Sequence, residues 1–309
     1  MTSDLAEETP SPFHSGFAAL VGKPNSGKST LVNRLLGQPV AGVSARPQTT
    51  RKRQLAILTS HDYQIIFMDT PGLHEPKDKL SQFINHEAEA ALRDAEVIIF
   101  LADSSSQPDE NDQRLAELIS RPEVKAPVLL AMNKQDMPSA ARLKETWTAF
   151  AQKLNARKVL PVSALTGAGV DQLVAATAAL LPEGPQYYPE DQITDVYERD
   201  IAAEIIRAAA MTLTEDEIPY SLATRVDEYS TRENGLIYIK AVLFVEREGQ
   251  KAILIGKNGE KIKQIGSLAR EEIEKMSGER IYLDLTVKVR KDWKNDPAFL
   301  RELGLAGRE

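Results

Sequence analysis

Two loops in this chain contain glycines placed to approach phosphate groups. The first, GKPNSGKST, follows an apolar run and precedes a helical pattern. Glycines let the backbone come close to phosphate oxygens, while the amides at a helix N-terminus supply positive potential. We expect Lys28 to neutralise the β- and γ-phosphates and Ser29 to ligate Mg²⁺. The loop residues predicted to contact a nucleotide are Gly22, Lys23, Pro24, Asn25, Ser26, Gly27, Lys28, Ser29 and Thr30.

A second motif, DTPG, ends another apolar run further along the chain. Alone it is equally typical of a plain turn. After a phosphate loop it indicates a carboxylate for Mg²⁺ at Asp69 and an amide for the γ-phosphate at Gly72. The predicted contacts here are Asp69, Thr70, Pro71 and Gly72.

Two further motifs, NKQD and VSAL, predict which base is bound. Asp136 can accept both donors of the guanine N1–H and 2-amino edge, which adenine lacks, and a carboxylate left without those donors is costly. Asn133 and Lys134 are expected to brace the loop, with Lys134 along the base. Ser163, Ala164 and Leu165 are expected near the guanine 6-oxo group, although a serine there is also typical of a helix N-cap. In order and spacing the four motifs match a Ras-like GTPase, whereas a kinase or ATPase has no use for the last two.

The segment ARPQTTRKRQ lies where a nucleotide-dependent switch belongs. Thr50, or else Thr49, could offer oxygen ligands to Mg²⁺ and the γ-phosphate. We favour Thr50, and the alternative is a basic surface loop. The predicted metal ligands are therefore Ser29, Thr50 and Asp69.

The residues for hydrolysis depart from a common pattern. Leu73 stands where many switch GTPases place a water-orienting glutamine, so that mechanism is excluded at this position. The Asn25 amide oxygen could instead hold K⁺ beside the phosphates, or Asn25 could only shape the loop. Slow hydrolysis is expected either way. The residues predicted to be catalytic are Lys28, Thr50, Asn25 and Gly72.

The second glycine loop, GKNG, cannot be another nucleotide loop, because no Lys-Ser/Thr pair follows it. A G-x-x-G turn between helices can instead clamp a nucleic-acid backbone, or it can be a simple connector. Residues 250–294 hold eleven Lys/Arg against seven Asp/Glu, a local excess of +4 in a chain of net charge −7. We therefore predict RNA binding by Ile255, Gly256, Lys257, Asn258, Gly259, Lys261, Ile262 and Lys263.

The elements that position these motifs divide into two domains. Nearly continuous apolar runs alternate with helical patterns up to about Leu181, which predicts an α/β domain with a mostly parallel, doubly wound sheet. The proline-rich stretch Pro182–Gln192 predicts a linker or extended strap. Beyond it, the order helix–strand–strand–helix–helix–strand predicts a small α+β domain, with a hairpin turn at Asn234-Gly235. The predicted parts are a disordered tail (1–14), a GTPase domain (15–182), a linker (183–197) and an RNA-binding domain (198–309).

Composition limits the alternatives. The chain has 309 residues, no cysteine and no apolar run long enough to span a membrane. The absence of cysteine removes disulfides, thiolate metal sites and a lipidation site, which disfavours a membrane-trafficking switch. The four scattered histidines offer no acid–base constellation for a second covalent reaction.

Over about residues 15–295 the chain resembles the Era family of bacterial ribosome-assembly GTPases. The resemblance rests on the four nucleotide motifs, the proline-rich linker, IPYSL and ILIGKNGEKIKQIG. It implies a Ras-like domain joined to a type II KH domain, with GTP/GDP and Mg²⁺ as ligands. It also implies a cytoplasmic monomer that binds the 3′ end of 16S ribosomal RNA, assists 30S subunit maturation and associates weakly with the inner face of the cell membrane. The alternative is a switch acting at that membrane or in cell-cycle control, with RNA binding secondary.

Overall fold

A computed structural model describes residues 12–38, 51, 53–70 and 77–306 of the chain. Within these residues two sheets are present, one of six strands and one of three. They lie on either side of the proline-rich stretch, which agrees with the predicted division.

The first sheet has the strand order β2-β3-β1-β4-β5-β6, in which β2 runs antiparallel to β3 and the other neighbours are parallel. Its central strands are buried throughout because helices cover both faces, as their continuous apolar runs predict. The carboxyl ends of the parallel strands share one edge, where all four nucleotide motifs begin. The strands are β1 (His14–Val21), β2 (Gln54–Thr59), β3 (Tyr63–Asp69), β4 (Val97–Asp103), β5 (Val128–Asn133) and β6 (Lys158–Pro161). The helices are α1 (Lys28–Leu36), α2 (Lys79–Asp94), α3 (Glu110–Ile119), α4 (Ala140–Lys153) and α5 (Val170–Ala178).

The linker is an extended strap along the sheet. The buried side chain of Gln64 accepts hydrogen bonds from the amides of Tyr187 and Tyr188 and donates to the Tyr188 carbonyl. Further on, the Ile57 amide donates to the Ile193 carbonyl at 2.8 Å. The strap therefore fastens to the first domain rather than acting as a free tether.

The second sheet has the order β7-β8-β9, with β7 antiparallel and β9 parallel to β8. The predicted hairpin turn is confirmed: Gly235 has φ 77°, and the Arg232 amide donates to the Leu236 carbonyl. The strands are β7 (Ala223–Thr231), β8 (Ile237–Val245) and β9 (Ile281–Val289). The helices are α6 (Glu198–Thr212), α7 (Ile218–Ser221), α8 (Glu248–Ile255), α9 (Glu260–Ser277) and α10 (Pro297–Glu302), and short 3-10 turns span Lys257–Gly259 and Trp293–Asn295.

Two predicted bounds differ from the structure. His14, placed in the disordered tail, is the first residue of β1, because its amide donates to the Asp62 carbonyl. The last helical pattern of the first domain, which the sequence carries to about Leu181, ends as an α-helix at Ala178, since the amides of Leu180 and Leu181 bond three residues back rather than four. Residues 1–11 of the predicted tail lie outside the described residues.

Candidate nucleotide site and nucleic-acid interface

The phosphate loop has a backbone that its glycines make possible. A Cβ on Gly22 would lie 2.4 Å from the Leu101 carbonyl oxygen, and one on Gly27 would lie 2.3 Å from Nδ2 of Asn133. Gly27 and Asn25 have φ of 101° and 63°, in the left-handed region that glycine and asparagine tolerate best. The loop therefore forms a tight cradle ending at the N-terminus of α1, which fits a phosphate chain.

Lys28 and Ser29 lie at the centre of this cradle. The buried Lys28 ammonium donates to the carbonyl oxygens of Gly22 and Lys23 at 2.7 and 3.2 Å. Burial lowers the pKa of Lys28 to about 8, although the fully buried carboxylate of Asp69 opposes the shift. A cation, a hydroxyl and a carboxylate thus meet at the loop, the set that a Mg²⁺–phosphate complex requires.

Asn133 joins three of the four motifs. Its side-chain amide donates to the Ser26 carbonyl at 2.7 Å, and its Oδ1 accepts the Ala164 amide at 2.9 Å. Arg34 of α1 reinforces the arrangement by donating to the carbonyls of Ala164 and Leu165. Phosphate loop and base loop are therefore one bonded unit.

The base-recognition residues are oriented by neighbours. The Ser163 hydroxyl donates to the exposed Asp136 carboxylate at 2.5 Å. Lys134, with φ 64°, forms a 2.7 Å ion pair with Asp103 at the end of β4. Burial alone would raise the pKa of Asp103, but hydrogen bonds from Lys134 and Ser105 outweigh it and lower the pKa. These contacts hold the Asp136 carboxylate and the Lys134 stem at the site predicted for guanine.

The side chain of Lys23, a residue of the predicted phosphate loop, has acidic partners on a neighbouring helix. Its buried ammonium forms ion pairs of 2.9 and 3.0 Å with Asp109 and Asp112 at the N-terminus of α3. It therefore braces the phosphate loop against α3, and only its backbone is available to a nucleotide. Thr50, Pro71, Gly72 and Leu73 lie outside the described residues.

The GKNG turn connects α8 to α9, as predicted. Gly256 is required there because a Cβ would come within 2.7 Å of the Lys261 Cβ, and Asn258 and Gly259 both have positive φ. The side chains of Lys257 and Asn258 are exposed. Of the other predicted RNA contacts, Lys263 is exposed, whereas Ile255, Lys261 and Ile262 are half-buried. The turn thus presents a cation, an amide and a glycine-flanked backbone to solvent.

Comparison with known proteins decides the family. Residues 17–134 match the sequence family described as 50S ribosome-binding GTPase, and residues 217–294 match the KH domain. The chain is 44% identical over 294 residues to GTPase Era of Geobacter metallireducens, covering 95% of this chain and 98% of that protein. The chain belongs to the Era family of GTPases. Among other Era proteins, that of Staphylococcus haemolyticus is 39% identical over 94% of this chain and 96% of its own length.

Solved Era structures share the whole architecture. One is a crystal structure of Era in complex with MgGDPNP and nucleotides 1506–1542 of 16S ribosomal RNA, with TM-score 0.89, 39% identity, and coverage of 96% of this chain and 100% of that one. Another is Aquifex aeolicus Era bound to GDP·AlF₄⁻, with the same TM-score, identity and coverage. The predicted Ras-like domain and KH domain are thus both confirmed.

Three functional contacts were missed from the sequence. Ser163 orients Asp136, Asp103 pairs with Lys134, and Arg34 bonds the base loop. Asp103 carried a usable signal, since it ends a buried strand at the same sheet edge as the other motifs. Within the described residues, no helix is both long enough and apolar enough to cross a bilayer.

Proposed function

We propose that this chain is a GTP-hydrolysing switch that binds the 3′ end of 16S ribosomal RNA through its KH domain and assists maturation of the 30S subunit. The observation that carries the proposal is the exposed GKNG turn, within a region (residues 250–294) that has a local charge of +4, in the same chain as a bonded guanine-nucleotide site. The Era complex with MgGDPNP and 16S RNA, whose fold this chain shares along almost its entire length, supports it.

In the nucleotide site, the residues bind and orient rather than react. Loop amides and Lys28 hold the β- and γ-phosphates, Asp136 selects guanine, and Ser29, Asp69 and Thr50 would hold Mg²⁺. The metal would stabilise charge on the transferring phosphoryl group. Asn25, at the exposed rim of the loop, would place K⁺ beside the same phosphates. With Leu73 in place of a glutamine, hydrolysis is slow until another group orients the water.

In the KH domain, the backbone of the turn and Lys257 would grip the RNA phosphates, while the neighbouring helix and sheet edge would read the bases. The exposed Lys263 extends the positive surface along the same helix. Ile255 and Ile262, half-buried at the two helix ends, would offer apolar contact to bases.

The RNA proposal is tested by filter binding of an oligonucleotide with the small-subunit RNA 3′-end sequence. The double variant Lys257→Asp/Asn258→Asp places carboxylates where phosphates belong, and Asp tolerates the left-handed φ of position 258. We expect RNA binding to weaken about 10²-fold with unchanged GTP affinity of the free protein. The matched control is Lys153→Asp/Asn155→Asp, an exposed pair in the first domain with the same charge change and a positive φ at Asn155. Equal RNA affinity in the GKNG variant and the control would make the turn a mere connector.

The cellular setting is part of the proposal. By family resemblance, the protein acts as a cytoplasmic monomer with weak peripheral association at the inner face of the membrane. Sedimentation of the purified chain tests the oligomeric state, and a dimer would contradict the proposed monomer. Flotation with lipid vesicles tests membrane association, and protein that does not float with the vesicles would contradict it.

A further inference from the structure

The C-terminal turn Trp293–Asn295, to which the sequence pattern assigns no role, touches the first domain at two places. The guanidinium carbon of Arg51 lies 5.5 Å from the centre of the Trp293 ring. The amide of Lys79, the first residue of α2, donates to Oδ1 of Asn295 at 3.2 Å. The same turn is tied to the KH domain, because Nε1 of Trp293 donates to the Ser221 carbonyl at 2.9 Å.

Apolar packing makes this junction continuous. Trp293 and Phe299 are fully buried, and Phe299 packs edge-on against Phe244 of the KH sheet with ring centres 4.9 Å apart. Leu80 and Ile84 of α2 are buried in the same cluster. The segment after β9 is thus a wedge between α2 and the outer face of the KH sheet.

In sequence, the two contacts lie next to the segments that are expected to bind the γ-phosphate and Mg²⁺. Arg51 directly follows Thr50, the proposed switch ligand, and α2 begins seven residues after Gly72. The two segments expected to respond to the nucleotide, around Thr50 and Gly72, are therefore each followed within a few residues by a contact with the turn Trp293–Asn295.

The burial of the Arg51 guanidinium is only partly compensated by hydrogen bonds. Its side chain is only 2% exposed, and one hydrogen bond runs from it to the Leu222 carbonyl, at 2.6 Å. Among the residues that the structure describes, no hydrogen-bond partner faces its Nε or Nη2. Burial, reinforced by the nearby Arg207, lowers the pKa of Arg51 to about 9, although Glu204 and Asp78 oppose the shift. Because docking this cation is only weakly favoured, a modest nucleotide-dependent contribution from the adjacent residue can decide whether it docks.

We propose that Arg51 and the turn Trp293–Asn295 form the contact through which the nucleotide bound by the first domain sets the RNA affinity of the KH domain. The proposal rests on the GTP-switch and RNA-binding function proposed above. Arg51 is a positioning residue, which acts by holding the KH domain in one arrangement against the first domain.

Arg53 provides a matched control two residues away. Its guanidinium pairs with Asp94 of its own domain at 3.2 Å and is partly exposed. The variants Arg51→Met and Arg53→Met therefore remove the same charge from the same segment, but only the first breaks the contact between domains. Asn295→Ala removes the second contact without altering either core.

The test measures RNA dissociation constants with a GTP analogue and with GDP for all four proteins, together with nucleotide affinity in the presence and absence of RNA. We expect about tenfold tighter RNA binding by the wild type with the GTP analogue, a ratio that Arg53→Met keeps and that Arg51→Met and Asn295→Ala reduce toward one. By linkage, the effect of RNA on GTP-analogue affinity relative to GDP falls equally. A wild-type ratio in Arg51→Met, or an equal loss in Arg53→Met, would overturn the proposal. Equal RNA affinity of the wild type in both nucleotide states would overturn it while leaving RNA binding intact, and no RNA binding in either state would overturn the proposed function itself.

Discussion

The side-chain amide of Asn133 donates a 2.7 Å hydrogen bond to the Ser26 carbonyl, 107 residues earlier in the chain. With the bond from Ala164 to its Oδ1, this single buried side chain fixes the distance between the phosphate loop and the base loop. We therefore expect nucleotide affinity to depend on Asn133, which lies between the two predicted subsites.

Replacing Asn133 with alanine should weaken both GDP and GTP binding about 30-fold. The change leaves the Ser26 carbonyl and the Ala164 amide without partners, and each buried unsatisfied group costs about 1–3 kcal/mol. Titration of a fluorescent GDP analogue measures the loss, with Asn111→Ala on the surface of α3 as the control. A change of less than threefold would show that the loops hold their spacing without this residue.

The base preference should follow Asp136. The variant Asp136→Asn should bind xanthosine triphosphate better than GTP. The 2-oxo group of xanthine accepts a hydrogen bond, which the Asn side-chain amide can donate, whereas the 2-amino group of guanine is itself a donor. Competition of GTP, xanthosine triphosphate and ATP for the site measures it, and Asp191→Asn on the strap serves as the control. Wild-type protein that binds ATP as tightly as GTP would contradict the guanine assignment.

The buried Lys28 predicts a pH dependence of nucleotide binding. Its pKa of about 8 in the free protein means that it is largely neutral above that pH, and bound phosphates favour the charged form. We therefore expect affinity for GTP to fall as pH rises above about 8, with uptake of a proton on binding. The unfolded chain keeps its proton up to the ordinary lysine value of 10.5, so stability of the nucleotide-free protein should rise with pH between these two values.

Calorimetric titration at pH 8.5 in two buffers of different ionisation enthalpy measures this proton uptake. The same titration of the wild type at pH 7 is the control, because Lys28 is then largely charged before the nucleotide binds and its proton uptake should nearly vanish. Identical binding enthalpies in the two buffers for the wild type would show that Lys28 is already protonated.

Hydrolysis should depend on the monovalent cation. We expect faster GTP turnover in potassium than in sodium chloride at equal ionic strength, and no difference in Asn25→Ala, since the amide oxygen that would ligate the ion is gone. Phosphate release under single-turnover conditions measures both. Equal wild-type rates in the two salts would leave Asn25 with a role in loop shape alone.

The sequence was sufficient where the chemistry is local. The glycines at 22 and 27 could be predicted because only a residue without a Cβ allows that loop, and the strands because their apolar runs are continuous. It was insufficient where a side chain meets a partner far along the chain. For Lys23, nothing near it in sequence reveals that Asp109 and Asp112 lie beside its ammonium group. Arg51 looked like one basic residue among several in a surface loop, because its burial exists only when the two domains are together.

The strap also has a consequence for solubility. β2 is an edge strand, and its outer edge carries backbone groups that could pair with another chain. The strap covers them: the Ile57 amide bonds to Ile193, Ala56 forms an antiparallel bridge with Thr194, and the Leu55 amide bonds to the Asp195 carboxylate. The segment that joins the domains thereby also protects the edge strand from pairing with other chains, and loosening it would expose that edge to self-association.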